Sequence, residues 1–267
     1  MAIEVAKEEG ITTITINRPE RRNALDLPHF ADLAAAWEEF RDDDGARVAI
    51  ITGTGKDFTV GADLKSFAPA VAGNTEQMHK DMLEGKKIGP EIGLTAVLRN
   101  FELWKPVIAA VNGTCVAGGM EMLMGTDIRI ASTTATFGIF EPKRGLFPGG
   151  GTTVRLPRQI PFPWAMEVLL VCDAIDAQNA YRMGIVNAVV PQEKLLDEAK
   201  SWARKIMANA PLAIEAVKRS VMHGLATDLK SAYDYELQCA AEVFMTEDAK
   251  EGPAAFAEKR QPIWQRK

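Results

Sequence analysis

Apolar and polar positions interleave in Ile11-Thr-Thr-Ile-Thr-Ile16, the pattern of a half-buried strand, and Asn17-Arg18-Pro19 ends it. From Pro28 to Phe40 the apolar residues Phe30, Leu33, Trp37 and Phe40 recur at a helical period. Two short apolar runs follow, Arg47–Ile51 and Pro106–Val111, closed by Thr52-Gly53-Thr54-Gly55 and by Asn112-Gly113. Asp127–Ala131 and Ala135–Ile139 read as two more strands. Strands separated by helical stretches predict an α/β architecture with much parallel pairing.

The pattern changes near Gln192. Residues 192–209 are amphipathic and helical, Pro211 opens a second helix, Asp228–Met245 a third and Asp248–Lys259 a fourth. Ile185–Val190 reads as a last strand before them. The chain therefore divides into a core over 1–191 that carries the active site and a helical region over 192–267 suited to oligomerisation. Ser66–Gly93 is the least regular stretch. A wall or lid over a site and a variable surface excursion fit it equally.

Composition narrows the classes. The 267 residues are 47% hydrophobic, enough for one large domain or a domain with a helical appendage. A formal charge of −5 offers no general attraction for nucleic acid, though a local basic patch stays open. No apolar run is long enough to span a bilayer, and the N-terminus lacks a basic stretch before an apolar core. Cys115, Cys172 and Cys239 are odd in number and far apart, which suggests neither a disulfide framework nor a zinc site. The expectation is a reduced, cytoplasmic protein without a membrane or nucleic-acid partner.

Two glutamates carry the chemical signal. Glu121 follows Ala117-Gly118-Gly119, where a glycine-rich turn opens a helix after the strand at 106–111. The positive helix end favours an ionised carboxylate there, which suits a base. Glu141 follows Phe137, Ile139 and Phe140, and desolvation there favours the neutral form, which suits an acid. Paired carboxyls in unlike surroundings run acid and base chemistry together at neutral pH. Two main-chain donors accompany them: the amide of Ala62 in Phe58–Lys65, and that of Gly118. Each glycine turn alone also reads as a tight turn or as close packing of helix on strand, and either glutamate alone as a solvated surface residue.

Other motifs carry less. Gly53-Thr54-Gly55-Lys56 lacks the spacing and the following Ser/Thr of a phosphate loop, and no G-x-G-x-x-G opens a helix. His29, His79 and His223 have no spacing for metal ligation or a triad, and Met120, Met122 and Met124 read as packing. Pro148-Gly149-Gly150-Gly151 suits either close approach to an anion or reacting group, or a flexible joint.

Taken in order, Asn17-Arg18-Pro19, Arg22–Leu25, Gly61–Leu64, Asn112-Gly113, Gly118-Gly119, Phe137-Gly138, Pro148-Gly149 and Glu251-Gly252 to Arg260 resemble the crotonase family, the enoyl-CoA hydratase/isomerase superfamily, nearly end to end. The resemblance implies a spiral of ββα units with a C-terminal helical trimerisation region, assembled as trimers or dimers of trimers. It implies an acyl-CoA thioester substrate, with coenzyme A part of that substrate and no separate cofactor or metal. Ala62 and Gly118 match the two thioester-oxygen donors, and Glu121 and Glu141 the two catalytic glutamates of hydratases. Arg22, Ala24 and the Ala62–Lys65 segment (Asp63, Leu64, Lys65) match positions along the coenzyme A nucleotide. Phe256 and Lys259 match its adenine and phosphate contacts, typically reached from a neighbouring subunit. Both glutamates together favour hydration of trans-2-enoyl-CoA; an enoyl-CoA isomerase and a non-catalytic acyl-CoA-binding relative are the alternatives. Ala117 stands where a third glycine is common, and Phe140-Glu141-Pro142-Lys143-Arg144 resembles members assigned to bulkier acyl chains.

Overall fold

A computed structural model describes residues 2–66 and 91–267. The irregular stretch Ser66–Gly93 therefore lies, from 67 to 90, outside the described residues, as does His79.

Two sheets organise the chain. The larger holds β1 (Ile3–Glu8), β2 (Ile11–Ile16), β3 (Val48–Gly53), β5 (Val107–Val111), β7 (Ile128–Ser132) and β10 (Ala188–Val190), in the order β1-β2-β3-β5-β7-β10. The smaller holds β4 (Asp57–Thr59), β6 (Thr114–Val116), β8 (Thr136–Gly138) and β9 (Ile175–Asp176), in that order. β1 and β2 are an antiparallel hairpin; every other pairing in the large sheet is parallel. In the small sheet β4, β6 and β8 run parallel, and β9 is antiparallel to β8. Three times the chain leaves the large sheet, turns and enters the small one: β3 to β4, β5 to β6 and β7 to β8. Helical chain follows each time, so the expected spiral of ββα units is present.

The helices are α1 (Leu27–Asp42), α2 (Glu91–Ala96), α3 (Gly118–Leu123), α4 (Thr152–Gln159), α5 (Phe162–Met166) and α6 (Ala177–Met183), then α7 (Leu195–Met207), α8 (Pro211–Gly224), α9 (Leu229–Phe244) and α10 (Glu247–Ala257). Asp26 caps α1 by accepting the His29 N–H, a bond that satisfies an otherwise orphaned donor. The buried stripe of α1 includes Phe30, Leu33, Trp37 and Phe40, and the Trp37 indole donates to the Ala96 carbonyl at 3.2 Å.

The unbroken apolar strands reflect burial on both faces. Ala49, Ile51, Val107, Ala109 and Val111 point into the main core, while Val48, Ile50, Ile108 and Ala110 point to the opposite face. There α7 closes over them with Leu195, Ala199 and Ala203, spaced one helical turn apart. Alanine at two of those positions lets the helix sit close to the sheet. Among the described residues no helix is long and apolar enough to cross a membrane.

Candidate active site

The two glycine turns meet. An isolated parallel bridge pairs Leu25 with Ala62, with Leu25 N–H donating to Gly61 C=O and Asp63 N–H to Leu25 C=O, each at 2.8 Å. Those bonds use the neighbours of the Ala62 amide and not the amide itself. Gly118 is the first residue of α3, where a helix leaves its N–H unpaired. Among the described residues neither the Ala62 nor the Gly118 N–H has an acceptor. The backbones touch: a methyl group on Gly118 would lie 3.2 Å from Gly61 Cα and 3.6 Å from Ala62 N. One on Gly61, whose φ is +81°, would lie 2.5 Å from Gly118 N. A side chain at either glycine would push the two main-chain segments apart.

Ala117 holds the turn at φ 53° and ψ −125°, outside the regions L-residues favour. Its N–H is tied to Gly138 C=O at 3.0 Å, which anchors the turn to β8. Such a conformation costs about 1–3 kcal/mol and persists only when its surroundings impose it.

Glu121 is only 8% exposed. Burial pushes its carboxyl up to about 7, against the opposing hydrogen bond from Gly150; the nearby Glu141 raises it further, while Arg99 and Arg155 lower it. The sequence predicts that the helix end keeps Glu121 ionised. In the structure desolvation outweighs that influence, because α3 is only six residues long and Glu121 lies inside the core boundary. Glu141 is also raised, and burial is the main cause, as its aromatic neighbours predict. Among the described residues its buried Oε2 has no hydrogen-bond partner. The charge of Glu141 thus acts on Glu121 and opposes its ionisation.

Gly150 supplies the contact that orients Glu121. Its N–H donates to Glu121 Oε1, and a methyl group at Gly150 would fall 2.1 Å from Oε2. Of the two readings of 148–151, close approach to a reacting group is the one this contact supports. Arg99 donates to the Gly149 carbonyl, and Arg155 to the carbonyls of Val97, Leu98 and Glu121. Neither arginine has a sequence signature, since each acts across 34 or more residues through main-chain oxygens.

The positions matched to coenzyme A separate into two groups. Arg22 binds Asp57 Oδ1 through Nε and Nη2 at 3.2 and 2.8 Å, with 61% of its side chain exposed. Ala24 is buried, and its carbonyl accepts from Arg18, which also pairs with Asp63 at 3.2 Å. Leu64 and Lys65 are exposed directly after Ala62 and Asp63. The Leu25–Ala62 bridge sets these six residues side by side. Phe256, 86% exposed, and Lys259 lie on and just beyond α10. The bonds of that region run to the C-terminal tail, Ala208 and Glu215, and among the described residues none joins it to the Arg22–Lys65 segments.

A cleft of about 810 Å³ lies elsewhere, between the sheet edge and α8, lined by Trp104, Ile128, Lys218 and Met222 among others, and contains neither glutamate. His29 pairs with Asp26, and His223 stacks on Tyr235 at 4.0 Å. Among the described residues no three His, Cys, Asp or Glu side chains gather as a metal site requires.

Comparison with known proteins is concordant along the chain. The enoyl-CoA hydratase/isomerase family model matches residues 6–267. Enoyl-CoA hydratase EchA19 of Mycobacterium tuberculosis is 41% identical over 252 residues, 94% of this chain and 92% of that protein. The (E)-benzylidenesuccinyl-CoA hydratase of Thauera aromatica is 38% identical over 266 residues, 99% of each. The crystal structure of enoyl-CoA hydratase from Bacillus anthracis superposes with a TM-score of 0.90 at 33% identity, covering 100% of both chains. With the spiral of ββα units and these matches together, the chain belongs to the enoyl-CoA hydratase/isomerase family.

Proposed function

We propose that the protein adds water to trans-2-enoyl-CoA thioesters, giving 3-hydroxyacyl-CoA, and catalyses the reverse. The observation that carries this reading is a pair of adjacent main-chain donors, unpaired among the described residues, with buried Glu121 on the helix that Gly118 opens and the charge of buried Glu141 acting on it. The Ala62 and Gly118 N–H groups bind the thioester oxygen as negative charge grows on it. Water lies between the carboxyls. Glu121, oriented by Gly150, takes its proton as the oxygen attacks C3, and Glu141 delivers a proton to C2. Burial pushes Glu121 up to about 7 and raises Glu141 as well, which supports proton exchange at both carboxyls near neutral pH. Coenzyme A is part of the substrate, and the step as written calls on no metal or redox group.

Arg22, Ala24, Asp63, Leu64 and Lys65 flank the coenzyme A path in this reading, and Phe256 and Lys259 complete it from a second copy of the chain. Region 192–267 then serves assembly into trimers or dimers of trimers. The exposed Val217, Val221, Met222 and Leu225, which also line the large cleft, support that part. One relative's name includes a benzylidene group, which argues for testing bulky acyl chains as well as short ones.

The test is a screen of purified protein against enoyl-CoAs of graded length and bulk, following loss of the conjugated-thioester absorbance. Glu121→Gln and Glu141→Gln should each lower kcat by roughly 10²–10⁴-fold, with acyl-CoA binding retained. Near-normal turnover in both variants refutes the assigned roles. Conjugation of a 3-enoyl-CoA without hydration supports an isomerase instead, and tight binding without turnover a non-catalytic role. Sizing the same preparation as a monomer removes the assembly claim.

A further inference from the structure

Arg99 lies outside every motif of the family resemblance, yet it is wired to Glu121. Its guanidinium donates to the Gly149 carbonyl, and the Gly150 N–H donates to Glu121 Oε1. That carbonyl and that N–H belong to one planar peptide unit and point in opposite directions. A cation at the oxygen withdraws charge from the amide and makes its N–H a stronger donor to the carboxylate beyond. The peptide joins two glycines, so no side chain of its own sets its plane, and glycine backbone rotates readily.

The backbone around Arg99 is built to aim it. Leu98 and Asn100 both adopt left-handed conformations, at φ 58° and 54°, although neither is glycine. Strained residues on either side of one arginine persist only when the fold imposes them. Arg155 holds the segment before Arg99 by binding the carbonyls of Val97 and Leu98, and it also reaches the Glu121 carbonyl at 3.5 Å. Helix α4 thus fixes the 97–98 segment, and that segment presents Arg99 to the glycine turn.

We propose that Arg99 is a positioning residue for Glu121, acting through the Gly149–Gly150 peptide to hold the carboxylate in place and stabilise its ionised form. The inference rests on the hydratase reading for the role of Glu121 as base, but the link itself is measurable without turnover. The charged groups that act on Glu121 are Glu141, which raises it, and Arg99 and Arg155, which lower it. Removing Arg99 leaves Arg155 and the Gly150 hydrogen bond, no longer reinforced by the cation, to oppose burial and Glu141.

The experiment uses Arg99→Met and Arg99→Gln, with Arg99→Lys as the conservative variant. Carbon-13 NMR of glutamate carboxyls, assigned with Glu121→Gln, follows the Glu121 titration in the full-length protein. Both neutral variants should titrate about one pH unit higher than the parent, and Arg99→Lys should recover most of that shift. On an active substrate, the acidic limb of the kcat profile should move by the same amount, with KM within about twofold, since the interaction acts on proton transfer more than on binding. An unmoved Glu121 titration in a folded neutral variant overturns the proposal. If both neutral variants fail to fold, Arg99 is assigned to stability and the proposal is overturned as well. If the parent turns over no enoyl-CoA while the titration still shifts, the hydratase reading fails and the Arg99 link stands.

Discussion

Glu121, in the strand-rich part of the chain, and Glu251, in the helices near its end, are the same side chain under opposite rule. Burial raises Glu121 to about 7 against the pull of Gly150. Glu251 accepts hydrogen bonds from Arg260 and from the Ile263 N–H, which draw it down to about 2. The contrast extends to the surroundings. Around Glu121 the backbone is crowded enough to exclude a methyl group, and Ala117 is held in a conformation it disfavours. Around Glu251 the carboxylates are paired, and large apolar side chains such as Leu237, Phe244, Met245 and Phe256 face outward. One region crowds and strains its backbone around a buried carboxyl; the other satisfies its charges locally and leaves large apolar side chains exposed.

That comparison breaks first at Glu121. A carboxyl raised above its unfolded value contributes stability below about pH 4.5, and loses that contribution as the pH rises through about 7. Glu121→Gln should therefore be more stable than the parent at pH 8, by on the order of 3 kcal/mol, with the advantage vanishing near pH 4.5. Thermal melts at the two pH values check this, and an equal difference at both would show that ionised Glu121 is not strained by burial. Ala117 gives a smaller effect. Replacing it with glycine releases the positive-φ strain while raising the entropy of the unfolded chain, for a net gain of about 1 kcal/mol. A destabilised Ala117→Gly protein in denaturant titrations would mean the alanine methyl contributes packing that outweighs its strain. The smallest effect belongs to the other region. Glu251→Gln should leave turnover unchanged and lower Tm slightly at neutral pH. Because the Glu251 value is depressed, its stabilisation is present above about pH 4.5 and is lost as the pH falls towards about 2. The Tm gap should close over that range, and a gap independent of pH would sever it from the Arg260 pair.

Much of this was legible in the chain because the signals are local. The strand at Ile11–Ile16, the stripe Phe30, Leu33, Trp37 and Phe40, and the helices beyond Gln192 follow from periodicity, and the structure has them at 11–16, 27–42 and from 195 onward. The strands Asp57–Thr59, Thr114–Val116 and Thr136–Gly138 are three residues each. That is too short for alternation to declare a strand, although the third lay inside a longer predicted one. Their pairing comes from long-range contacts, and it is these strands that bring the glycine turns together. Glu121 and Glu141 were recognisable as candidates, but the direction of the Glu121 shift was not, because desolvation depends on what the whole core places around it.

Residue types and their spacing thus determined the strands and helices with clear periods, the two carboxyls and the two glycine turns beside them. Only the tertiary structure decided that the Ala62 and Gly118 amides stay unpaired among the described residues, that Gly150 orients Glu121, and that Arg99 stands behind Gly150. Hydrophobic period and turn chemistry act within a few residues, and so can be read from neighbours in sequence. Burial, charge repulsion and main-chain hydrogen bonds act between groups that meet only after the strands have paired.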